Sequence, residues 1–370
     1  MTKSVGILTF HDALNYGAVL QAFALQQTIA SYSCSCSIIN YRRPGYYPMF
    51  RCLKSKSDIK TNILTFLYLR SHLKLRKRFS QFRTANLNST IQSYSSLEDF
   101  CRSDSKFDVY VTGSDQVWNP YLLDRQGGVG SIFYLGFVSD GRRVAYAPSF
   151  GNSEVPEVYK ERIAGFLKRF DFLSSREDIG CSIIRDLSGL NSVQVLDPTF
   201  LQDSSIYKKV AVEPRFSKPY ILLYPMQESD LLISLVLNVR KILRIPIVAV
   251  LPSHFNPLKY RFADKIVFDA GPAEFLGWVD KSSFVCTNSF HGTCFAIIYR
   301  KNFLGVQSIL RNSRIQSLLK CVGLSSRLVI DPDRFSKNDD LLKPIDYFSV
   351  YKILENEIKN SLDYLKVALA

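Results

Sequence analysis

The run Thr287-Asn288-Ser289-Phe290-His291-Gly292-Thr293 sets one histidine among three hydroxyl side chains and an amide. An imidazole can give or take a proton near neutral pH. Ahead of the run, Ser283-Phe284-Val285-Cys286 reads as a short buried strand; after it, Cys294-Phe295-Ala296-Ile297-Ile298-Tyr299 reads as the opening of a helix. His291 therefore falls at a strand-to-helix junction, where free backbone N–H groups and the helix dipole favour an anion. Those pieces suit acid–base chemistry on a phosphate-bearing substrate. The competing reading is a histidine that caps its own helix.

Ligands of parallel α/β sheets bind outside the carboxyl ends of the strands, and more polar clusters fall at such ends. The strand Val5–Phe10 leads to His11 and a loop with Asn15-Tyr16-Gly17. Phe107–Thr112 leads to Gly113-Ser114-Asp115-Gln116-Val117-Trp118-Asn119, Arg143–Ala147 to Pro148-Ser149-Phe150-Gly151, and a fifth strand ends in Ser174-Ser175-Arg176-Glu177. Asp115 is the first candidate for contacting or deprotonating an acceptor hydroxyl, against the alternative of an Asp that caps the next helix. Asn15 and Asn119 suit sugar hydroxyls but equally suit turns. His11 can serve a substrate or simply bond locally.

Strands alternating with helices position these groups and predict a parallel α/β architecture. With 370 residues, 46% of them hydrophobic, the chain can fill two cores. The expected partition is a first domain over 1–201, including a basic helical segment over 42–84, a linker over 202–218, and a second domain over 219–343. A helix over 344–370 is expected to pack back on the first domain. Eight cysteines form no CxxC pair, so neither a zinc site nor a disulfide framework is expected. The opening strand is too short for a signal peptide, and no segment qualifies as a membrane span.

Charge is concentrated in one segment. Between Tyr41 and Ala85, twelve basic residues face Asp58 alone, so +11 of the net +14 sits there. Ile59, Ile63, Phe66, Leu67, Leu73 and Phe79 recur through it near helical spacing, predicting a basic amphipathic helix. Such a helix lies at an anionic membrane surface, meets a polyanion, or is a solvated face. No nucleic-acid module accompanies it, so no nucleic-acid partner is expected. Neither GxGxxG nor GxxxxGK[ST] occurs, which leaves dinucleotide and P-loop sites unsupported.

Six stretches, in order, carry a resemblance: Gly6-Ile7-Leu8-Thr9-Phe10-His11 with Asn15-Tyr16-Gly17-Ala18; Val111 to Asn119; Ala147 to Gly151; Ser175-Arg176-Glu177; Leu196-Asp197-Pro198-Thr199; and Thr287 to Gly292. From about Lys3 to Arg327 the chain resembles the polysaccharide pyruvyl transferases. The resemblance implies a GT-B-like fold, with two Rossmann-like domains facing across a cleft. It implies transfer of the enolpyruvyl group of phosphoenolpyruvate onto two hydroxyls of a sugar such as galactose, forming a ketal and releasing phosphate. His291 would be the catalytic histidine, joined by Asp115. Arg176 would grip the donor, with Asn288, Ser289, Gly292 and Thr293 beside it. His11, Asn15, Tyr16, Ser114, Gln116, Asn119 and Ser149 would meet the acceptor.

No metal and no cofactor beyond the donor substrate is expected. The implied partner is a lipid-linked saccharide, with a cytoplasmic enzyme peripheral at the inner face of the membrane. Some members carry Arg-Leu immediately before the histidine, where this chain has Ser289-Phe290. Arg176, Arg300, Lys301, Arg311 and Arg314 are the candidates to hold the donor anion instead. The alternative functions are a nucleotide-sugar glycosyltransferase of the same fold and a non-catalytic glycan-binding relative.

Overall fold

The computed structural model describes residues 3–42, 59–96, 99–100, 106–123, 132–252, 255–306, 313–330 and 339–370. The chain divides into two units. The first comprises Met1–Tyr46, Arg83–Gln202 and Lys352–Ala370; the second comprises Tyr47–Phe82 and Asp203–Tyr351.

The first unit has four short strands in one sheet: β1 (Ser4–Leu8), β2 (Ser35–Ile38), β3 (Val109–Thr112) and β4 (Arg142–Ala145). They form one parallel sheet in the order β2-β1-β3-β4, with Leu8 opposite Thr112 and Thr112 opposite Ala145. β3 is buried along its whole length, the usual state of a strand covered on both faces. A second parallel pair, β5 (Ser174–Ser175) and β6 (Val193–Gln194), continues from β4 through a bridge between Val144 and Phe172. The first helix starts at Tyr16, two residues before its apolar pattern does, because Asn15 accepts from the Ala18 N–H at 3.1 Å and caps it. The helix Tyr347–Leu369 contributes Leu365, Ala368 and Leu369 to the core built on Val5, Ile7, Val109 and Val111.

The second unit holds one parallel sheet of six strands: β7 (Ile221–Tyr224), β8 (Ile247–Val250), β9 (Lys265–Val267), β10 (Phe284–Thr287), β11 (Asn302–Val306) and β12 (Leu328–Val329). Their order is β12-β11-β10-β7-β8-β9. β11 and β12 lie outside the expected strands; β11 has an internal Gly305 and β12 only two residues, so neither shows a clear apolar run. The helix Asp230–Leu243, capped by Ser229, seals one face through Leu232, Leu235, Val236 and Val239.

Two parts of the expected partition sit differently. Of the basic segment, the described residues 59–82 group with the second unit, not the first. The helix Ile59–Asn86 buries Leu75, Phe79 and Phe82, while Leu73, expected on the apolar face, is 57% exposed. Arg78 anchors it: Nε donates to Glu274 at 2.9 Å and Nη1 to the Asp269 carbonyl at 2.7 Å, and Lys74 pairs with Asp269 at 2.6 Å. Ile59, Ile63, Phe66 and Leu67 carry side chains outside the described residues. The expected linker, in turn, contains a helix, Ser204–Val210, and Val212 N–H bonds to the Ala273 carbonyl at 2.9 Å. Among the described residues no helix is long and apolar enough to cross a membrane, and no group of three His, Cys, Asp or Glu side chains could hold a metal.

That linker crossing fixes one residue type. A Cβ on Gly277, in the helix Pro272–Asp280, would run into the Val212 carbonyl, a backbone atom that cannot swing aside. Gly277→Ala should therefore destabilise the protein by about 1–3 kcal/mol, the scale of overpacking, read as a lowered midpoint in urea. An unchanged midpoint would mean this crossing is loose.

Candidate functional site

In the second unit the carboxyl ends of β7 and β10 build one cluster. Tyr224 and Thr287 end these strands as register partners, and Thr287 Oγ1 donates to the Tyr224 carbonyl at 2.6 Å. Thr287 Oγ1 also accepts from the Ser289 N–H at 3.0 Å, which turns the chain into a helix over Phe290–Ile298. Ser289 is the N-cap, its Oγ accepting from the Gly292 N–H at 3.2 Å. The helix thus begins earlier than the sequence suggests, and His291 stands within its first turn, 7% exposed and edge-on to the Phe290 ring. The cap is Ser289, not the histidine.

Gly292 is required here by crowding. A Cβ would lie 2.6 Å from Thr287 Oγ1 and 2.9 Å from Tyr224 Cδ1. Tyr224, which the sequence reading overlooked, therefore packs against the turn at Gly292. Burial raises its phenol well above the usual range, partly offset by a hydrogen bond with the Ser289 side chain, so it stays protonated. The other expected donor-side residues serve the turn. Asn288 braces the loop after β7, accepting from Met226 N–H at 2.7 Å and donating to the Gln227 carbonyl at 2.9 Å, while Thr293 Oγ1 donates to the Ser289 carbonyl at 3.1 Å.

Of the cations offered for the donor anion, Arg300 and Lys301 follow the far end of this helix. The Arg300 guanidinium lies 4.2 Å over the Tyr351 ring, and the Lys301 ammonium bonds the Asp280 carbonyl. Both sit at the helix's carboxyl end, away from His291. Arg311 lies outside the described residues. Arg314 opens the helix Ser313–Cys321 that follows β11, on the side to which β11 and β10 both deliver the chain.

The first unit gathers the second cluster. Asp197, fully buried, accepts at one carboxylate oxygen from Arg176 Nη1 at 2.9 Å and Ser114 Oγ at 3.0 Å, and at the other from Thr199. Arg176 Nε donates to Glu177 at 2.9 Å. Burial alone would weaken the hold of Arg176 on its proton, but Glu177, Asp197 and Asp115 outweigh it and raise the pKa. One guanidinium among three carboxylates is a clamp within the unit. The arginine expected to grip the donor is thus bonded within the unit through Nε and Nη1.

The expected acceptor residues are also bonded inward. Both ring nitrogens of His11 face oxygens, Thr9 carbonyl at 3.2 Å and Asn40 at 3.3 Å, and burial lowers its pKa, keeping it neutral. Asn15 is a helix cap, with Tyr16 buried behind it as the first helical residue. Ser149 Oγ accepts from Gly151 N–H at 3.0 Å, and Asn119 donates to Gln116 Oε1 at 2.7 Å. Asn119, not Asp115, accepts from the Tyr121 N–H and starts the next helical turn.

The Asp115 carboxylate likewise accepts from the Gln116 N–H at 2.8 Å, but its backbone is unusual. It occupies the left-handed region at φ 76°, its carbonyl accepts from Ser149 N–H at 2.9 Å, and the neighbouring loop carries Ala147 at φ 55°. Two non-glycine residues in that region cost on the order of 1–3 kcal/mol each and cluster at functional sites. Sequence reading missed Asp197 and Glu177 as site residues; their signal was position, each directly after a short buried run at a strand end.

Two kinds of likeness accompany this geometry. A family model described as polysaccharide pyruvyl transferase matches residues 15–308. No curated protein matches. Among solved structures, the UDP-GlcNAc 2-epimerase of Methanocaldococcus jannaschii is 14% identical, with 96% of this chain and 99% of that one covered and a TM-score of 0.53. The Neisseria meningitidis UDP-GlcNAc 2-epimerase is 10% identical, covering 98% and 99%, at 0.53. Arabidopsis thaliana UGT89C1 is 10% identical, covering 100% of both, at 0.52. At such identities the likeness shows the fold: two Rossmann-like domains of the GT-B class.

The clamp gives a stability test that separates it from donor binding. Arg176→Met should cost about 3–5 kcal/mol, as for a buried pair broken from one side, measured by urea unfolding. A stable variant that has lost donor affinity would restore the donor-gripping role.

Proposed function

The chain belongs to the polysaccharide pyruvyl transferase family, and we propose that it moves the enolpyruvyl group of phosphoenolpyruvate onto two hydroxyls of a lipid-linked saccharide. The reaction protonates the methylene carbon, making carbon two oxocarbenium-like. One sugar hydroxyl adds there, the bond to the phosphate oxygen breaks, and the second hydroxyl closes the ketal. Of the two hydroxyl protons, one is balanced by the new methyl group and the other leaves on phosphate. An acid, a base and cations for the donor are needed, and no metal.

The observation that supports this reading is His291 in the first turn of a helix capped by Ser289, since a helix N-terminus favours an anion. His291 protonates the donor at carbon or at the departing phosphate. Ser289 caps the helix that carries it, and the protonated Tyr224 packs at the next residue, Gly292. Asp115, kept in a strained conformation, takes the acceptor proton. Arg314 supplies a cation for the donor. A saccharide such as galactose presents 4- and 6-hydroxyls that can close a six-membered ring.

Incubation with phosphoenolpyruvate and a panel of lipid-linked sugars should yield a pyruvylated product by mass, with phosphate released in equal amount. His291→Ala should lower turnover ~10²-fold or more, the scale of a lost acid–base group, while remaining folded. Product from a uridine-diphosphate sugar, with none from phosphoenolpyruvate, would make the chain a glycosyltransferase instead.

The acceptor's lipid calls for a membrane-facing surface, and the helix Ile59–Asn86 is the candidate. Arg70 and Lys77 are exposed beside Leu69 and Leu73, whereas Lys74 and Arg78 are occupied by Asp269 and Glu274. Each basic residue near an anionic surface contributes on the order of 1 kcal/mol, within a Debye length. Arg70→Gln with Lys77→Gln should weaken binding to phosphatidylserine liposomes in low salt. Binding equal to the parent's would leave this helix as a solvated face.

A further inference from the structure

The second unit contains a cavity of about 970 Å³ at the opposite edge of its sheet from His291. Its walls come from Glu213 to Lys218, just ahead of β7, and from Arg244, Ile245 and Pro246, just ahead of β8, with Arg240 and Asp264. Strands of a parallel sheet point one way, so this edge holds their amino ends. His291 follows the carboxyl end of β10. The cavity is thus separate from the cluster around the histidine.

Its charges do not cancel. Glu213 pairs with Lys281 at 3.0 Å, and Asp264 accepts from Arg240 at 3.3 Å and from the Ile247 N–H at 2.8 Å. Both acids are satisfied. The side chains of Arg215, Lys218 and Arg244 have no hydrogen-bond or ion-pair partner among the described residues. The carboxyl end of the helix Asp230–Leu243 also points here, but its dipole offsets only about half a charge.

Arg244 adds a second observation. It ends that helix in the left-handed conformation, φ 56° and ψ 33°, with its N–H bonded to the Arg240 carbonyl at 2.8 Å. Glycine is the usual residue at such a cap, because a side chain there is strained. An arginine held against that strain puts a guanidinium on the cavity wall, where it can fork onto phosphate oxygens.

We propose that this cavity binds a diphosphate group, through Arg215, Lys218 and Arg244, as a second ligand site. A single phosphate brings about −1.5 to −2 charges, so three unpaired cations call for a second phosphate. Pro214, Phe216, Ile245 and Pro246 give the site apolar wall for whatever the diphosphate carries. The proposal does not depend on pyruvyl transfer.

Inorganic pyrophosphate titrated into the full chain by calorimetry should bind, and more weakly as salt rises. Arg215→Ser with Lys218→Ser should weaken it about ten-fold or more, the scale of lost charge-assisted hydrogen bonds. Arg244→Gly should weaken it too, while keeping or raising the melting temperature, since glycine relieves the strained cap. His291→Ala should leave the affinity unchanged. Uridine diphosphate and farnesyl diphosphate then distinguish a free nucleotide from a prenyl-linked source, the tighter of the two identifying it. No binding by the parent, no loss in the variants, equal binding of citrate, or loss in His291→Ala would each overturn the proposal.

Discussion

Parallel strands all deliver their carboxyl ends to one edge of a sheet, and in both units the candidate machinery depends on that constraint. Chain leaving such an edge must turn at once into a helix, so backbone N–H groups gather there unpaired. Short polar side chains supply what the turn lacks. In the second unit Thr287, Ser289, Asn288 and Thr293 each bond the turn itself. That leaves His291 as the side chain of the motif best suited to proton transfer. In the first unit Ser114, Ser149, Ser174 and Asn119 play the same bracing part. Side chains that look like ligand contacts in a linear motif are, for the most part, the scaffold of a tight turn.

The buried clamp in the first unit follows from the same crowding. Arg176 sits after β5 and Asp197 after β6, so the parallel pair brings them together. Ser114, after β3, completes the contact. Through Thr9, which donates to the Ser114 carbonyl at 2.9 Å and accepts from Gln21 at 2.8 Å, the network reaches the first helix. A buried guanidinium without carboxylates would be costly, and carboxylates without it equally so. The pair thus fixes the ends of several strands relative to one another, beside the left-handed backbone of Asp115. Strain of that kind persists only where the surroundings over-determine the conformation, and this network does so.

The alternation of strand and helix was legible in the sequence because the central strands, such as Val109–Thr112 and Phe284–Thr287, are buried along their whole length. So was the placement of polar clusters at strand ends, since each follows a run such as Val109–Thr112 or Phe284–Thr287. Roles within the clusters were less legible. Whether Asn15 bonds a sugar or the Ala18 N–H depends on where the helix starts, and the apolar pattern begins two residues late. Whether Arg176 faces a ligand or Asp197 depends on two strands only two residues long, too short to show a period. The assignment of residues 59–82 failed for a similar reason: Asp269 and Glu274, which anchor Arg78, lie about two hundred residues away in sequence.

Charge matching bears on how a donor could be held. Phosphoenolpyruvate carries a carboxylate and a phosphate, the latter alone worth about −1.5 to −2, whereas a helix N-terminus offers about half a positive charge. The capped turn at Ser289 cannot meet that demand alone, and Phe290 brings no charge of its own. Arg176 is already outnumbered by carboxylates, and Arg300 and Lys301 lie beyond the far end of the histidine's helix. Among the described candidates, Arg314 is the one placed after β11, adjacent to β10 and on the same carboxyl side. A cation on the neighbouring strand's exit is a candidate to act on the same anion as a cation two residues before the histidine. With no arginine in that position, Ser289 caps the helix and Phe290 packs edge-on against the imidazole.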